Sequence, residues 1–185
     1  MLWPFNRFRN PSLPSRGTIE AIYGMIVAQA REPAFYATLN VRDTVDGRFD
    51  MVVLHLWMVL RHLRTTDGGD SLSQGLFDRF CEDMDGNLRE MGVGDLTVPK
   101  RMQAFGEAFY GRTAAYDLAL AGGEDDLAQS IGRNVLNGAH PDSARLLARY
   151  VLAVVAALAP ADGAALAAGT WHFPQPIVPQ PAGAS

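Results

Sequence analysis

Apolar side chains recur every three or four residues along most of the chain, which is the spacing of one face of an α-helix. The first helix is predicted from an N-cap at Thr18 to a stop before Pro33, because serine and threonine side chains cap helices and proline ends them. A short helical turn over residues 34–39 and a polar loop over residues 40–47 are expected to follow.

The segment from Phe49 to Arg64 is apolar nearly all round, with Asp50 in its first turn and Arg61 and Arg64 in its last. A helix with this composition belongs in the middle of a bundle, and its terminal charges suit the helix dipole. A buried strand over residues 51–60 is the alternative, but the length of the segment favours a helix.

Four further helices are predicted downstream. Leu72 to Leu88 carries a stripe at every fourth residue, and Gly92 and Gly94 are expected to end that helix. Pro99 begins a long helix that reaches about residue 121 and contains Gly106 and Gly111, among alanines, on a face that another helix is expected to approach closely.

Gly122-Gly123 and Pro141 mark the starts of the last two long helices. The pattern therefore predicts an all-α fold, a single bundle of about six or seven helices without a significant sheet. We expect a partly ordered segment over residues 1–16, the helical domain over residues 17–168 and a proline-rich tail over residues 169–185, of which residues 174–181 are expected to be extended and mobile.

Composition narrows the class of protein. The 185 residues carry a net charge of −4 and one cysteine, Cys81, so we expect no intramolecular disulfide and no nucleic-acid partner. The first nine residues lack the apolar core of a secretory signal, and the longest apolar run, residues 150–159, is about half of the ~20 residues that a membrane span needs. We expect a cytoplasmic location, with peripheral contact of the aromatic and arginine-bearing residues 1–15 with the inner membrane left open.

Three motifs resemble reactive sites, and each is better explained structurally. Gly69-Asp70-Ser71-Leu72 matches a hydrolase signature, but no Asp-x-x-His follows, so Ser71 is predicted to be a helix N-cap. Residues 83–94 begin like a calcium loop but have Leu88 where that loop needs glycine.

His55 and His62 lie seven residues apart, which is not the spacing of metal ligands on one helix, and His55 is expected to be a core histidine with one hydrogen-bonded nitrogen. Phosphate-binding glycine motifs are also missing, so we expect no cofactor, no metal and no enzymatic activity, although distant carboxylates can form an acid–base site without a local motif.

Three segments in series carry a resemblance to a known family: residues 43–51 (DTVDGRFDM, leading into Leu54-His55), residues 83–95 (DMDGNLREMGVGD) and residues 108–116 (AFYGRTAAY), preceded by residues 33–36 (PAFY). Together they resemble the ubiquinol–cytochrome c chaperone family in its bacterial form, over roughly residues 19–120. The resemblance implies an assembly factor for ubiquinol–cytochrome c reductase (respiratory complex III) whose mitochondrial relatives associate with newly made cytochrome b. It implies a protein client, cytochrome b or an early intermediate of the complex, and transfers no catalytic residues.

A chaperone for a membrane subunit needs an exposed apolar patch with a polar rim. The strongest candidate is the loop with Met91, Val93, Leu96 and Val98; weaker candidates are Phe35, Tyr36, Tyr110 and Arg112. Asp43, Asp46 and Arg48 are predicted to fix their loop by turn hydrogen bonds. The alternatives are a small-molecule binder or enzyme, for example for a quinone-like ligand in a pocket between helices, and a helical scaffold without a respiratory role.

Overall fold

The computed structural model describes residues 14–179, which fold into eight helices: α1 (Arg16–Ala30), α2 (Pro33–Ala37), α3 (Val45–Leu63), α4 (Gly69–Glu90), α5 (Val98–Gly122), α6 (Glu124–Val135), α7 (Pro141–Leu158) and α8 (Gly163–Ala167). Six of them have 12 residues or more, and α2 and α8 have five each. No strand occurs within residues 14–179. The predicted all-α bundle is confirmed.

Helix α3 forms the centre of the bundle and packs against α1, α4, α5, α6 and α7. Because neighbours surround it, residues 51–59 are buried without interruption. Its start is fixed by Thr44, whose hydroxyl accepts a hydrogen bond from the Gly47 amide at 3.2 Å. The prediction of a central helix is confirmed, and the strand alternative is wrong.

Two helix starts differ from the prediction. The cap of α1 is Ser15, whose hydroxyl accepts from the Thr18 amide at 3.1 Å, rather than Thr18 itself. Ser71 lies inside α4, which begins after Gly68 in a left-handed conformation with φ of 72°. The earlier start depends on close packing, because a Cβ at Gly69 would lie 2.0 Å from the Leu63 carbonyl oxygen.

The face of α5 that carries Gly106 and Gly111 is open. Among the described residues, no atom beyond the adjacent residues and the backbone of α5 itself lies within 4 Å of a Cβ built at either glycine, and Leu118 is 78% exposed. Helix α5 instead packs on the bundle through Phe109 and Tyr116, which are buried. The predicted close approach of a second helix is therefore wrong for the described part of the chain.

The segment after α8 is extended, as expected, but it is packed on the helices. Trp171 and Phe173 are buried, and the Trp171 indole N–H donates to the Ala157 carbonyl at 3.0 Å. The Gln29 amide of α1 donates to the Pro174 carbonyl at 3.3 Å. Two large aromatic rings at the start of the tail thus complete the core, and the mobility expected of residues 174–181 stays a prediction. Residues 180–185, and residues 1–13 of the N-terminal segment, lie outside the described residues.

A directional chain of hydrogen bonds crosses the core at His55. The Met51 carbonyl only accepts, so the His55 Nδ1–H donates to it at 2.7 Å, and Nε2 accepts from the Tyr150 hydroxyl at 2.9 Å. The Tyr150 oxygen in turn accepts from the Gln29 amide at 3.1 Å. Burial lowers the pKa of His55 to about 4, so the ring is neutral at pH 7. His55 is a core histidine as predicted, with both nitrogens bonded rather than one.

Candidate functional site

An open groove of about 420 Å³ lies at one end of the bundle, where the last turns of α1 and α4 meet the first turns of α3 and α5. Its walls are apolar: Val27, Val45, Phe49, Val52, Met84, Leu88, Met91 and Phe105. Its rim is polar: Arg31, Asp46, Arg48, Asp83, Asn87 and Glu90. We call this surface the α1–α3–α4 groove.

Two apolar side chains of the groove are exposed to solvent. Val45, the first residue of α3, is 63% exposed, and Met91, just after the end of α4, is 54% exposed. Between them the wall is aromatic, because the Phe49 and Phe105 rings stack with their centroids 5.0 Å apart. Exposed apolar side chains grouped with polar neighbours are typical of a surface that binds a partner.

The aromatic wall is supported from behind by an ion pair between α3 and α5. The Arg112 guanidinium lies 2.7 Å from the buried Asp50 carboxylate and 5.5 Å from the centre of the Phe49 ring. Burial raises the pKa of Asp50 to about 6, although the charge of Arg112 lowers it in part. Arg112, predicted as a partner contact, is half-buried, and its charge is paired with a carboxylate inside the bundle. Its contact with a partner stays a prediction.

Beside this ion pair, Tyr116 contributes a second buried polar group. Its ring is fully buried, and its hydroxyl has no hydrogen-bond partner among the described residues. Burial, together with the nearby charge of Asp50, raises the pKa of Tyr116, so the phenol is neutral at pH 7.

Some of the rim charges are already paired within the chain. Asp83 accepts a hydrogen bond from the Tyr23 hydroxyl at 2.9 Å and lies 3.7 Å from the Arg79 guanidinium. Arg48 donates to Asp43 at 2.7 Å, which fixes the loop before α3 as predicted. Arg48 also holds the pKa of the Asp43 carboxyl below its ordinary value.

The predicted loop patch is only partly a surface. Met91 lines the groove and Leu96 is 99% exposed, whereas Val93 is half-buried. Val98 begins α5 and is only 2% exposed, so it belongs to the interior and not to the predicted patch. An alternating pattern in a loop does not reveal which side chains turn inward.

The weaker candidates lie apart from one another. Phe35 is fully buried against the His55 and Tyr150 rings, which corrects its prediction as a partner contact. Tyr36 is half-buried, and its hydroxyl donates to a backbone carbonyl of α1 at 2.7 Å. Tyr110 is 62% exposed and lines a different groove between α3, α4 and α5, beside Phe77.

Sequence reasoning missed Val45 and Phe49 as groove residues, because Val45 stands in a polar run and Phe49 fits a core pattern. One signal was available: two of the three segments that carry the family resemblance, residues 43–51 and 83–95, supply most of the groove. The third segment, residues 108–116, supplies Arg112 behind its wall.

The structure also bears on metals and membranes. Within residues 14–179, no group of three or more His, Cys, Asp and Glu side chains is arranged to hold a metal ion. None of the helices described above combines the length and apolar character that crossing a bilayer requires.

Comparisons with known proteins agree with the geometry of this bundle. A crystal structure of the Cbp3 homolog from Brucella abortus superposes with a TM-score of 0.79 at 36% sequence identity, covering 91% of this chain and 94% of that one. The ubiquinol-cytochrome-c reductase complex assembly factor 1 of Xenopus laevis is 26% identical over 145 residues, 77% of this chain and 72% of its own length. The corresponding factor of Mus musculus is 25% identical over 133 residues, 70% of this chain, and the match spans 45% of the mouse protein.

The sequence model of the ubiquinol-cytochrome C chaperone family matches residues 37–173, which is well over half of the chain and includes α3 to α8. The match extends to Phe173, the last buried aromatic residue of the packed tail. The chain therefore belongs to the ubiquinol–cytochrome c chaperone family.

Proposed function

We propose that this protein is an assembly chaperone for ubiquinol–cytochrome c reductase, and that it binds cytochrome b, a membrane subunit of that complex, before assembly is complete. The client contacts the α1–α3–α4 groove, and the exposed loop around Leu96 extends the same surface. The observation that carries this proposal is the apolar groove with a polar rim, built largely from the segments that mark the family.

The physical argument starts from the client. A membrane subunit outside its complex exposes apolar side chains that water solvates poorly, and covering them yields roughly 25 cal/mol per Å². Val45 and Met91 offer exposed apolar area on the chaperone that can cover such side chains of the client. The charged rim around them favours contact with water when no client is bound. Two relatives named as assembly factors of the reductase complex support this client class.

The groove supports binding rather than catalysis. Its lining contains no Ser, Thr, Cys, His, Lys or Tyr, which are the usual sources of nucleophiles and neutral-pH proton donors. Of its three carboxylates, Asp83 is held by Tyr23 and Arg79. A protein that acts by holding a client needs a surface that can bury the client's apolar side chains, and the apolar wall of the groove supports such a role.

The test is capture of the client from membranes. The affinity-tagged chain is expressed in bacteria that contain the reductase, the membranes are solubilised mildly, and co-purifying subunits are identified by mass spectrometry. The substitution Val45→Asp places a charge in the groove at an exposed position, and Leu118→Asp on α5 is the matched control outside it.

The unaltered chain and Leu118→Asp are expected to enrich cytochrome b, whereas Val45→Asp is expected to lose most of the capture with unchanged helicity by circular dichroism. Recovery of no reductase subunit by the unaltered chain would overturn the proposed function. Equal capture by both variants would remove the groove as the client surface. Val93→Asp tests the loop in the same way, and unaffected capture would restrict the surface to the groove.

A further inference from the structure

The groove offers no sheet edge to a client. It is formed by α1, α3, α4 and α5, and no strand occurs within residues 14–179, so an extended segment finds no row of backbone N–H and C=O groups to pair with. An extended chain pressed onto Val45, Phe49 and Met91 would leave its own polar backbone groups unpaired against apolar side chains. A helix satisfies these groups internally and presents only side chains.

The rim of the groove is electrostatically asymmetric. Asp83 and Arg48 are paired within the chain, whereas Arg31, Asp46 and Glu90 form no ion pair in the part of the chain that the structure describes. Two of these three groups are acidic.

Helix stability accounts for two of the three unpaired charges. Asp46 lies in the first turn of α3 and Arg31 directly follows α1, and both are the favourable charge for those helix ends. Glu90 is the last residue of α4, where the carbonyl end of the helix disfavours a negative charge. Its exposed carboxylate therefore has no role in its own helix and is free to attract a cation across the groove.

From these observations we propose that the groove takes a single amphipathic α-helix whose apolar face is bordered by lysine or arginine, with one cationic side chain opposite Glu90. The inference rests on the proposed function, since it names the chemistry of the client segment that the groove binds. In this arrangement the client's leucine-like side chains cover Val45, Phe49 and Met91, and its cationic side chain forms an ion pair with Glu90.

The experiment uses the full chain and three fluorescent peptides of 18 residues. The first is an amphipathic helix with leucines on one face bordered by lysines. The second has glutamate in place of each lysine, and the third keeps the first composition but contains prolines that prevent a helix. Binding is measured by fluorescence anisotropy at low salt and at 0.5 M salt, where surface charge interactions are screened.

The lysine-bordered helix is expected to bind about fivefold or more tightly than the glutamate-bordered one, because a surface ion pair contributes up to about 1 kcal/mol and a like-charge pair opposes binding. Glu90→Lys is expected to reverse this preference and Glu90→Gln to reduce it. Glu82→Lys, on the same helix but outside the groove, is the matched control and is expected to leave it unchanged. Val45→Asp is expected to weaken both helical peptides.

Equal binding of the two helical peptides would overturn the proposed basic border of the client helix. A preference that Glu90→Lys leaves unchanged would do the same. Binding of the proline-containing peptide as tightly as its helical counterpart, or no binding of any peptide, would overturn the helical occupant. If either of these peptide results were obtained and cytochrome b were still captured from membranes, the proposed function would remain and only this inference would fail. A confirmed peptide preference without membrane capture would instead overturn the proposed function and leave only the preference of the groove for a helix bordered by basic residues.

Discussion

The substitution Tyr150→Phe tests the hydrogen-bond chain through the core. It removes one oxygen from a fully buried ring, and that oxygen makes two bonds, at 2.9 Å to His55 Nε2 and at 3.1 Å from the Gln29 amide. Without the hydroxyl, the His55 nitrogen is buried with no donor, which costs about 1–3 kcal/mol. Gln29 loses less, because its amide still reaches the Pro174 carbonyl. We expect a loss of about 2–3 kcal/mol in the free energy of unfolding.

Tyr116→Phe is the matched control. Tyr116 is as fully buried as Tyr150, but its hydroxyl has no hydrogen-bond partner among the described residues, so its removal is expected to be neutral or stabilising. Both variants are unfolded in urea and followed by circular dichroism at 222 nm, and the slopes are compared so that the midpoints report stability. At a chain of this size, the difference corresponds to a Tm gap of about 5–10 °C. An equal or larger loss in Tyr116→Phe would refute the assignment of the hydrogen-bond chain.

The remaining predictions concern pH, the tail and two glycines. The pKa of His55 is lowered to about 4, so its neutral form stabilises the fold above pH 6.5 and about 3 kcal/mol is lost as pH falls from 6.5 to 4; His55→Gln should flatten this loss. The pKa of Asp50 is raised to about 6, so its protonated carboxyl stabilises the folded state at about pH 4 and below, and this stabilisation is lost as pH rises from about 4 to 6. Because this effect opposes that of His55, Asp50→Asn should steepen the loss of stability on acidification. Trp171→Ala should cost about 3–5 kcal/mol in urea unfolding, and a cost under about 1 kcal/mol would contradict a packed tail. Gly69→Ala should cost about 1–3 kcal/mol because its Cβ meets backbone, whereas Gly86→Ala on the same helix meets open space and should gain about 0.5–1 kcal/mol in the same assay.

Periodicity predicted the fold because each long helix carries its own signal. The continuous apolar run of α3 can be buried only with neighbours on every side, and the proline at the start of α7 and the glycines between α5 and α6 divide the chain where the helices end. The prediction of helix caps was less accurate, because Ser15 and Thr18 are both good N-cap residues and only the packed structure selects between them.

The candidate site was predictable only in part, since it depends on which side of each helix remains uncovered. Phe35 and Val45 are both apolar residues near a loop, yet tertiary packing buries the first completely and leaves the second 63% exposed. Arg112 is similar, because a sequence does not show that the buried partner of its charge is Asp50, more than 60 positions earlier. The open face at Gly111 likewise reflects the absence of a neighbouring helix in the described region, and no local pattern encodes that.

The hydrogen bonds of Gln29 join residues that are 121 and 145 positions apart, so they can form only late in the synthesis of the chain. Because α1 and α3 are synthesised long before α7 and Trp171, the core around His55 stays open to water until residue 174 has left the ribosome. During that interval the nascent chaperone has the same difficulty as a membrane protein outside its complex, with apolar helix faces open to water. These faces are covered only when α7 and the segment up to Pro174 pack against α1 and α3.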